Sequence, residues 1–235
     1  MMPFTTEQFF DVFVAYNRAV WPAQVVLVLA ALGTAWLALR PRQAGDRVIG
    51  AVLALLWFWM GAVYHLAFFA AINPAAKLFG GIFLLQGLLF ALAAVRGTLA
   101  FGARRDVHGW LGALFMLYAL VLYPAAGLLV GHVYPASPTF GAPCPTTIFT
   151  FGLLLWASTR VPGQILVVPF LWSLLGISAA LSFGVLEDLA LPIVALVASG
   201  LLLRRNRRLA AAAPAPRAAV ADGPPAAATP RGPAA

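Results

Sequence analysis

Few side chains in this sequence can do chemistry, and most of them fall near one end of its apolar runs. Tyr64 and His65 sit together inside the second run, and Asn73 and Lys77 follow it. Tyr123-Pro124 and Gly131-His132-Val133-Tyr134 close the fourth run. Cys144 stands between two prolines, and Glu187-Asp188 separate the last two runs. Histidine can carry a proton or hold a metal near neutral pH. An ionisable residue within a membrane segment marks a site or a pathway, because lipid does not favour its charge. Three readings of the set stay open. Each histidine caps or bonds a neighbouring helix, or His65 and His132 hold a transition metal or haem, or the set lines a proton-coupled or small-molecule pocket. No HxxxH or HExxH spacing enforces a metal, so no metal or cofactor is expected. Cys144 has no basic neighbour to lower its pKa and reads first as a packed thiol. Gln24 and Gln86 either join the lining or bond another helix. The expected lining is Tyr64, His65, Asn73, Tyr123, His132, Cys144, Glu187 and Asp188, with no catalytic residue assigned. His65 is expected to matter more than His108, which reads as solvated beside Arg104, Arg105 and Asp106.

Several chemistries lack their residues. Lys77 is the sole lysine and lies in a loop, so no helix-buried lysine can hold retinal. There is no phosphate-binding loop, GxSxG or dinucleotide fingerprint. The first spans do not visibly repeat as the last, as an inverted-repeat transporter would require. Whether the chain is an enzyme stays open, with the non-enzyme reading first.

The elements that must position these groups follow from composition. The chain has 235 residues, of which 63% are apolar and 9% charged, with a mean hydropathy of +0.93. A soluble domain is about 45–50% apolar and about 25% charged. The composition therefore predicts an all-α polytopic membrane bundle. Seven runs approach the length of about 17–25 residues that crosses a bilayer. They cover 21–39, 48–72, 78–95, 110–133, 146–159, 164–184 and 188–203. The fifth and seventh are short. Residues 146–184 form two spans if the chain turns at Arg160-Val161-Pro162-Gly163, or else a re-entrant hairpin. Seven spans place thirteen of the 15 Lys and Arg residues on one side. By the positive-inside rule that side is cytoplasmic and holds the C-terminus, with the N-terminus outside. The chemistry-bearing residues then share the outer half. The net charge of +8 lies between apolar runs or in the tail, which argues against a nucleic-acid partner.

The chain divides into an amphipathic segment 1–20, a membrane bundle 21–203, and a basic then Ala/Pro-rich cytoplasmic tail 204–235. Thr5 and Gln8 have capping-box spacing. Phe9, Phe10, Phe13 and Tyr16 then recur at helical spacing, as in a helix lying on the outer surface or a lid over an outer pocket. No basic region opens a cleavable signal peptide. Arg204, Arg205, Arg207 and Arg208 read as a stop-transfer cluster that meets anionic lipid, and the sequence beyond reads as disordered. The segment Tyr134–Thr147 carries four prolines and no charge. It reads as a stiff loop folded over the helix ends, with Thr146 or Thr147 capping the next span. Gly80-Gly81, Gly109/Gly112 and Gly127/Gly131 read as close-packing positions.

Pro3-Phe4-Thr5, Glu7-Gln8-Phe9, Tyr16-Asn17 and Trp21-Pro22 resemble the opening of a bacterial multi-pass family known as domain of unknown function 6064. Tyr64-His65, Phe69, Asn73-Pro74-Ala75 and Gly141…Pro143-Cys144-Pro145-Thr146-Thr147 resemble its other blocks. The resemblance covers about residues 2–205. It implies an integral membrane protein and carries no activity or catalytic residue. The sequence thus predicts a multi-pass protein of a bacterial inner membrane that handles a small molecule or ion in an outward pocket. A structural subunit docking a membrane-protein partner or a second copy is the rival, and a haem- or metal-binding oxidoreductase the third.

Overall fold

The computed structural model describes residues 3–212. Among the described residues, eight α-helices make the bundle: α1 (Thr6–Ala38), α2 (Gln43–Trp59), α3 (Ala76–Arg96), α4 (Val107–Leu117), α5 (Tyr123–Leu129), α6 (Pro143–Leu155), α7 (Gly163–Phe183) and α8 (Ala190–Ala211). No strand element occurs among the described residues. α2 continues through a π-helical stretch, Met60–Phe68, and a 3-10 turn, Phe69–Ala71. Another π-helical stretch, Tyr118–Leu122, joins α4 to α5. Six helical segments among the described residues are long and apolar enough to cross a membrane. Leu29, Leu85, Leu117, Leu171 and Ile193 are exposed on their outer faces. Such a surface suits lipid, which imposes no penalty on exposed apolar side chains.

The fifth expected span, 146–159, has a different character. α6 holds 13 residues, about 20 Å at 1.5 Å per residue, against a hydrocarbon core of about 30 Å. It occupies the centre of the bundle, where Ile148, Phe149, Phe151, Leu153, Leu154 and Leu155 have no exposed surface. α4 packs along it through a close approach of glycines. A Cβ on Gly112 would lie 2.7 Å from the Gly152 carbonyl oxygen. α6 starts at Pro143, earlier than expected, because Pro fits the first helical turn, whose N–H groups lack partners. Thr146 does not cap the helix; its hydroxyl accepts from the Gly141 N–H at 3.0 Å.

Both ends of α6 are completed by other helices. At its C-terminus Arg205 of α8 donates to the carbonyls of Ala157 at 2.6 Å, Thr159 at 3.2 Å and Leu155 at 3.4 Å. A cation suits this place because the carbonyl end of a helix carries partial negative charge. Asn206 brackets the Val161 backbone, accepting from its N–H at 3.1 Å and donating to its carbonyl at 2.6 Å. Arg205 and Asn206 are therefore buried, a correction to the uniform surface cluster expected of the four arginines. Arg204, Arg207 and Arg208 remain exposed. α8 stays helical to Ala211, so the tail expected over 204–235 begins as helix; its Ala/Pro-rich part from 213 lies outside the described residues.

The same end holds the loops 97–106 and 156–162, tied by Gly102 N–H to Trp156 O and Ser158 N–H to Ala100 O. Asp106 caps α4 through the Gly109 N–H, and Arg104 beside it holds its carboxyl down to about 2. His108, expected to be solvated, is instead largely covered, with a side chain only 15% exposed. At the opposite end the expected surface segment and first span form one unbroken helix. The Thr5–Gln8 capping box starts α1, and Pro22 lies within it.

Replacing Arg205 with Ala leaves buried carbonyls without a donor, at a cost of about 3 kcal/mol. Thermal unfolding in detergent should show a clear drop for Arg205→Ala and a smaller one for Arg205→Lys. Unchanged stability of both would contradict the capping role.

Candidate functional site

The chain enters α6 from a segment that has no helix of its own. Residues 130–142 leave α5 and turn inward between α1 and the rest of the bundle. Asn17 of α1, fully buried, holds them. Its amide nitrogen donates to Pro135 O at 2.6 Å and Ser137 O at 2.8 Å. Its amide oxygen accepts from Gln24 at 2.6 Å and from the Thr139 hydroxyl at 2.8 Å. Gln24 also donates to the Thr139 oxygen at 2.8 Å. All four hydrogen-bonding positions of Asn17 are thereby used. Gln24, weighed as a pocket residue, thus serves the clasp on this segment. Gln86 likewise bonds another helix, donating to Ile165 O at 3.0 Å.

Where this segment reaches α6, a cavity of about 320 Å³ opens beside it. Of the expected set, Tyr64, Asn73, Cys144 and Asp188 line it. Its remaining wall is mainly aromatic: Phe9 and Phe13 of α1, Phe69, Phe79 of α3, and Trp172 and Phe183 of α7. Phe9 stacks on Phe183 with centroids 4.5 Å apart, and Phe4 covers the same ring at 5.4 Å. Each such pair adds about 0.5–1.5 kcal/mol beyond area burial. Pro3, Ala75, Leu175 and Ser178 form an exposed rim.

Two changes of helical pitch aim the polar groups. In an α-helix consecutive residues point about 100° apart. The π-helical stretch after α2 widens the turn, and both Tyr64 and His65 become buried. The second stretch ends at Tyr123-Pro124, where Pro supplies no N–H to the preceding turn. It brings Tyr118 and Tyr123, one π-turn apart, onto the 3-10 turn Leu186–Leu189. Tyr118 donates to Glu187 O at 3.0 Å, and the Tyr123 hydroxyl donates to the Asp188 carboxylate. The acidic pair, expected in an open loop, is buried at 3% and 2% exposure.

The two histidines have separate surroundings. His132 Nδ1 lies 2.9 Å from Glu187 Oε1, and its ring packs on Phe10. His65 is fully buried among Tyr64, Phe69, Phe79, Phe83 and Trp172, and neither ring nitrogen has a partner. It sits behind the cavity wall, not in it. The rings share no neighbour, so the structure does not bring His65 and His132 together as a metal pair. No group of three or more His, Cys, Asp or Glu residues could hold a metal ion among the described residues.

The aromatic wall was not singled out as a site from sequence, apart from the α1 phenylalanines weighed as a lid. A Phe or Trp in an apolar helix looks the same whether it faces lipid, core or cavity. The clasp residue Asn17 was also missed, since its partners lie 118 and 120 residues away.

Cys144 is the chain's single cysteine, so alkylation reads out the cavity directly. A small maleimide should modify one thiol per chain slowly. Phe183→Ala should speed the reaction several-fold by opening the wall. Equal rates in both proteins would show that the reagent reaches Cys144 by another route.

The sequence model of a family described as "Family of unknown function (DUF6064)" matches residues 6–213. No curated protein and no solved structure matches the chain.

Proposed function

Because the chain belongs to this family of unknown function, DUF6064, we propose its function from the cavity: it binds a small, largely apolar cation. The observation that carries this reading is Asp188. Its carboxylate lines a mainly aromatic cavity, is 2% exposed, and has no Lys, Arg or His ion-pair partner among the described residues. A carboxylate in an apolar site is costly unless its charge is balanced, which a hydroxyl donor alone does not do. Aromatic faces attract cations through their quadrupole and favour alkylammonium groups in particular. Tyr123 donates to Asp188 and so fixes the carboxylate as an acceptor. The aromatic wall would hold the ligand's apolar body, and Asn73 at the rim offers a polar contact. About 320 Å³ is near the lower end of ordinary ligand pockets, which limits the occupant to a small amine.

The same reading places the protein in a bacterial cytoplasmic membrane with the cavity facing outward. The Lys/Arg asymmetry supports that orientation.

The test is a titration of the detergent-solubilised protein with alkyltrimethylammonium ions and with neutral alcohols of the same chain length, read by thermal shift. The cations should bind the wild type more tightly. Asp188→Asn should weaken them about tenfold, or ~1.4 kcal/mol, and leave the alcohols unchanged. Equal affinity of the cations for both proteins would overturn the reading.

A further inference from the structure

A second concavity lies on the bundle's flank, between α1 and the stretch from α4 to α5. α1 packs chiefly on α2 and the π-helical stretch after it. A groove of about 720 Å³ remains beside it, separate from the cavity at Asp188. Its lining is graded along α1. Arg18 and Trp21 stand at the top, Val25 and Leu29 lower, with Leu120 on the facing helix and Tyr134 closing the rim. Arg18, Trp21, Val25 and Leu29 follow at helical spacing, so they form one stripe. All four are exposed.

Two features identify what fits the groove. The first is length. Arg18 to Leu29 is eleven residues, about 16 Å of helix, which is close to half of a hydrocarbon core of about 30 Å. The groove is therefore one leaflet deep. Trp21 and Tyr134, exposed at 58% and 50%, set its rim at the headgroup layer, where amphipathic aromatics reside. The second is charge. Arg18 makes no ion pair among the described residues. A guanidinium at that depth presents a fork of donors that matches a phosphate group.

We propose that this groove is a binding site for one anionic phospholipid, its phosphate on Arg18 and an acyl chain along Val25, Leu29 and Leu120. The lipid completes a flank that the protein leaves open. It also backs the clasp, because Gln24 and Thr139 form part of the groove's wall. Arg18 thus acts on the same segment that leads into α6, from the lipid side.

Native mass spectrometry of the full chain tests this after exchange into mixed micelles of phosphatidylglycerol and phosphatidylcholine. The wild type should retain one phosphatidylglycerol per chain and several-fold less phosphatidylcholine. Arg18→Gln should bring phosphatidylglycerol down to the phosphatidylcholine level. Val25→Trp, which fills the groove without removing charge, should lower retention of both. Lys77→Gln, an exposed cation at the same end of the bundle, should retain lipid as the wild type does. Retention that ignores the headgroup, equal losses in Lys77→Gln and Arg18→Gln, or a lipid-free dimer that Val25→Trp dissociates would each overturn the proposal.

Discussion

The fold turns on one constraint: backbone at membrane depth must find its hydrogen bonds within the protein. A helix that spans the bilayer meets it unaided. α6 is too short to do so, and non-helical chain adjoins it at both ends. Those stretches are only partly covered, with Val133, Tyr134, Ser158 and Arg160 exposed, and side chains from distant helices bond their backbone. Asn17 and Gln24 of α1 serve the entry, and Arg205 and Asn206 of α8 serve the exit. The first and last long helices thus hold the central short one between them.

The cavity follows from that arrangement. A full-length helix in the position of α6 would fill the space above Cys144. A shorter one leaves room there, and the aromatic side chains of α1, α3 and α7 wall it. The two π-helical stretches then turn Tyr64 inward and bring Tyr123 to Asp188. The buried carboxylate stands in a space that the architecture creates.

Much of this was legible in the sequence. Apolar runs and their separators gave all the long helices, and the rarity of polar groups drew attention to Tyr64, Asn73, Cys144 and Asp188. The turn near Pro162-Gly163 separates two helices, as read from the helix breakers there. What was not legible depends on helical phase and distant contacts. In a bundle apolar on every face, periodicity does not say which side is inside. Four neighbouring arginines look alike until α8 turns Arg205 inward. His65 and His132 both looked like site residues. The π-turn places His65 in an aromatic shell, while Glu187 holds His132. The bonds of Asn17 link residues more than a hundred positions apart and leave no local pattern.

The most direct test of this account is hydrogen–deuterium exchange of residues 134–142 in the wild type and in Asn17→Ala. If the clasp holds this segment in place, its amides exchange slowly in the wild type. They should exchange far faster in the variant, while α2 and α3 keep their protection. Fast exchange in the wild type, or protection unchanged by the loss of Asn17, would contradict the claim that side chains of α1 hold the entry to the central helix.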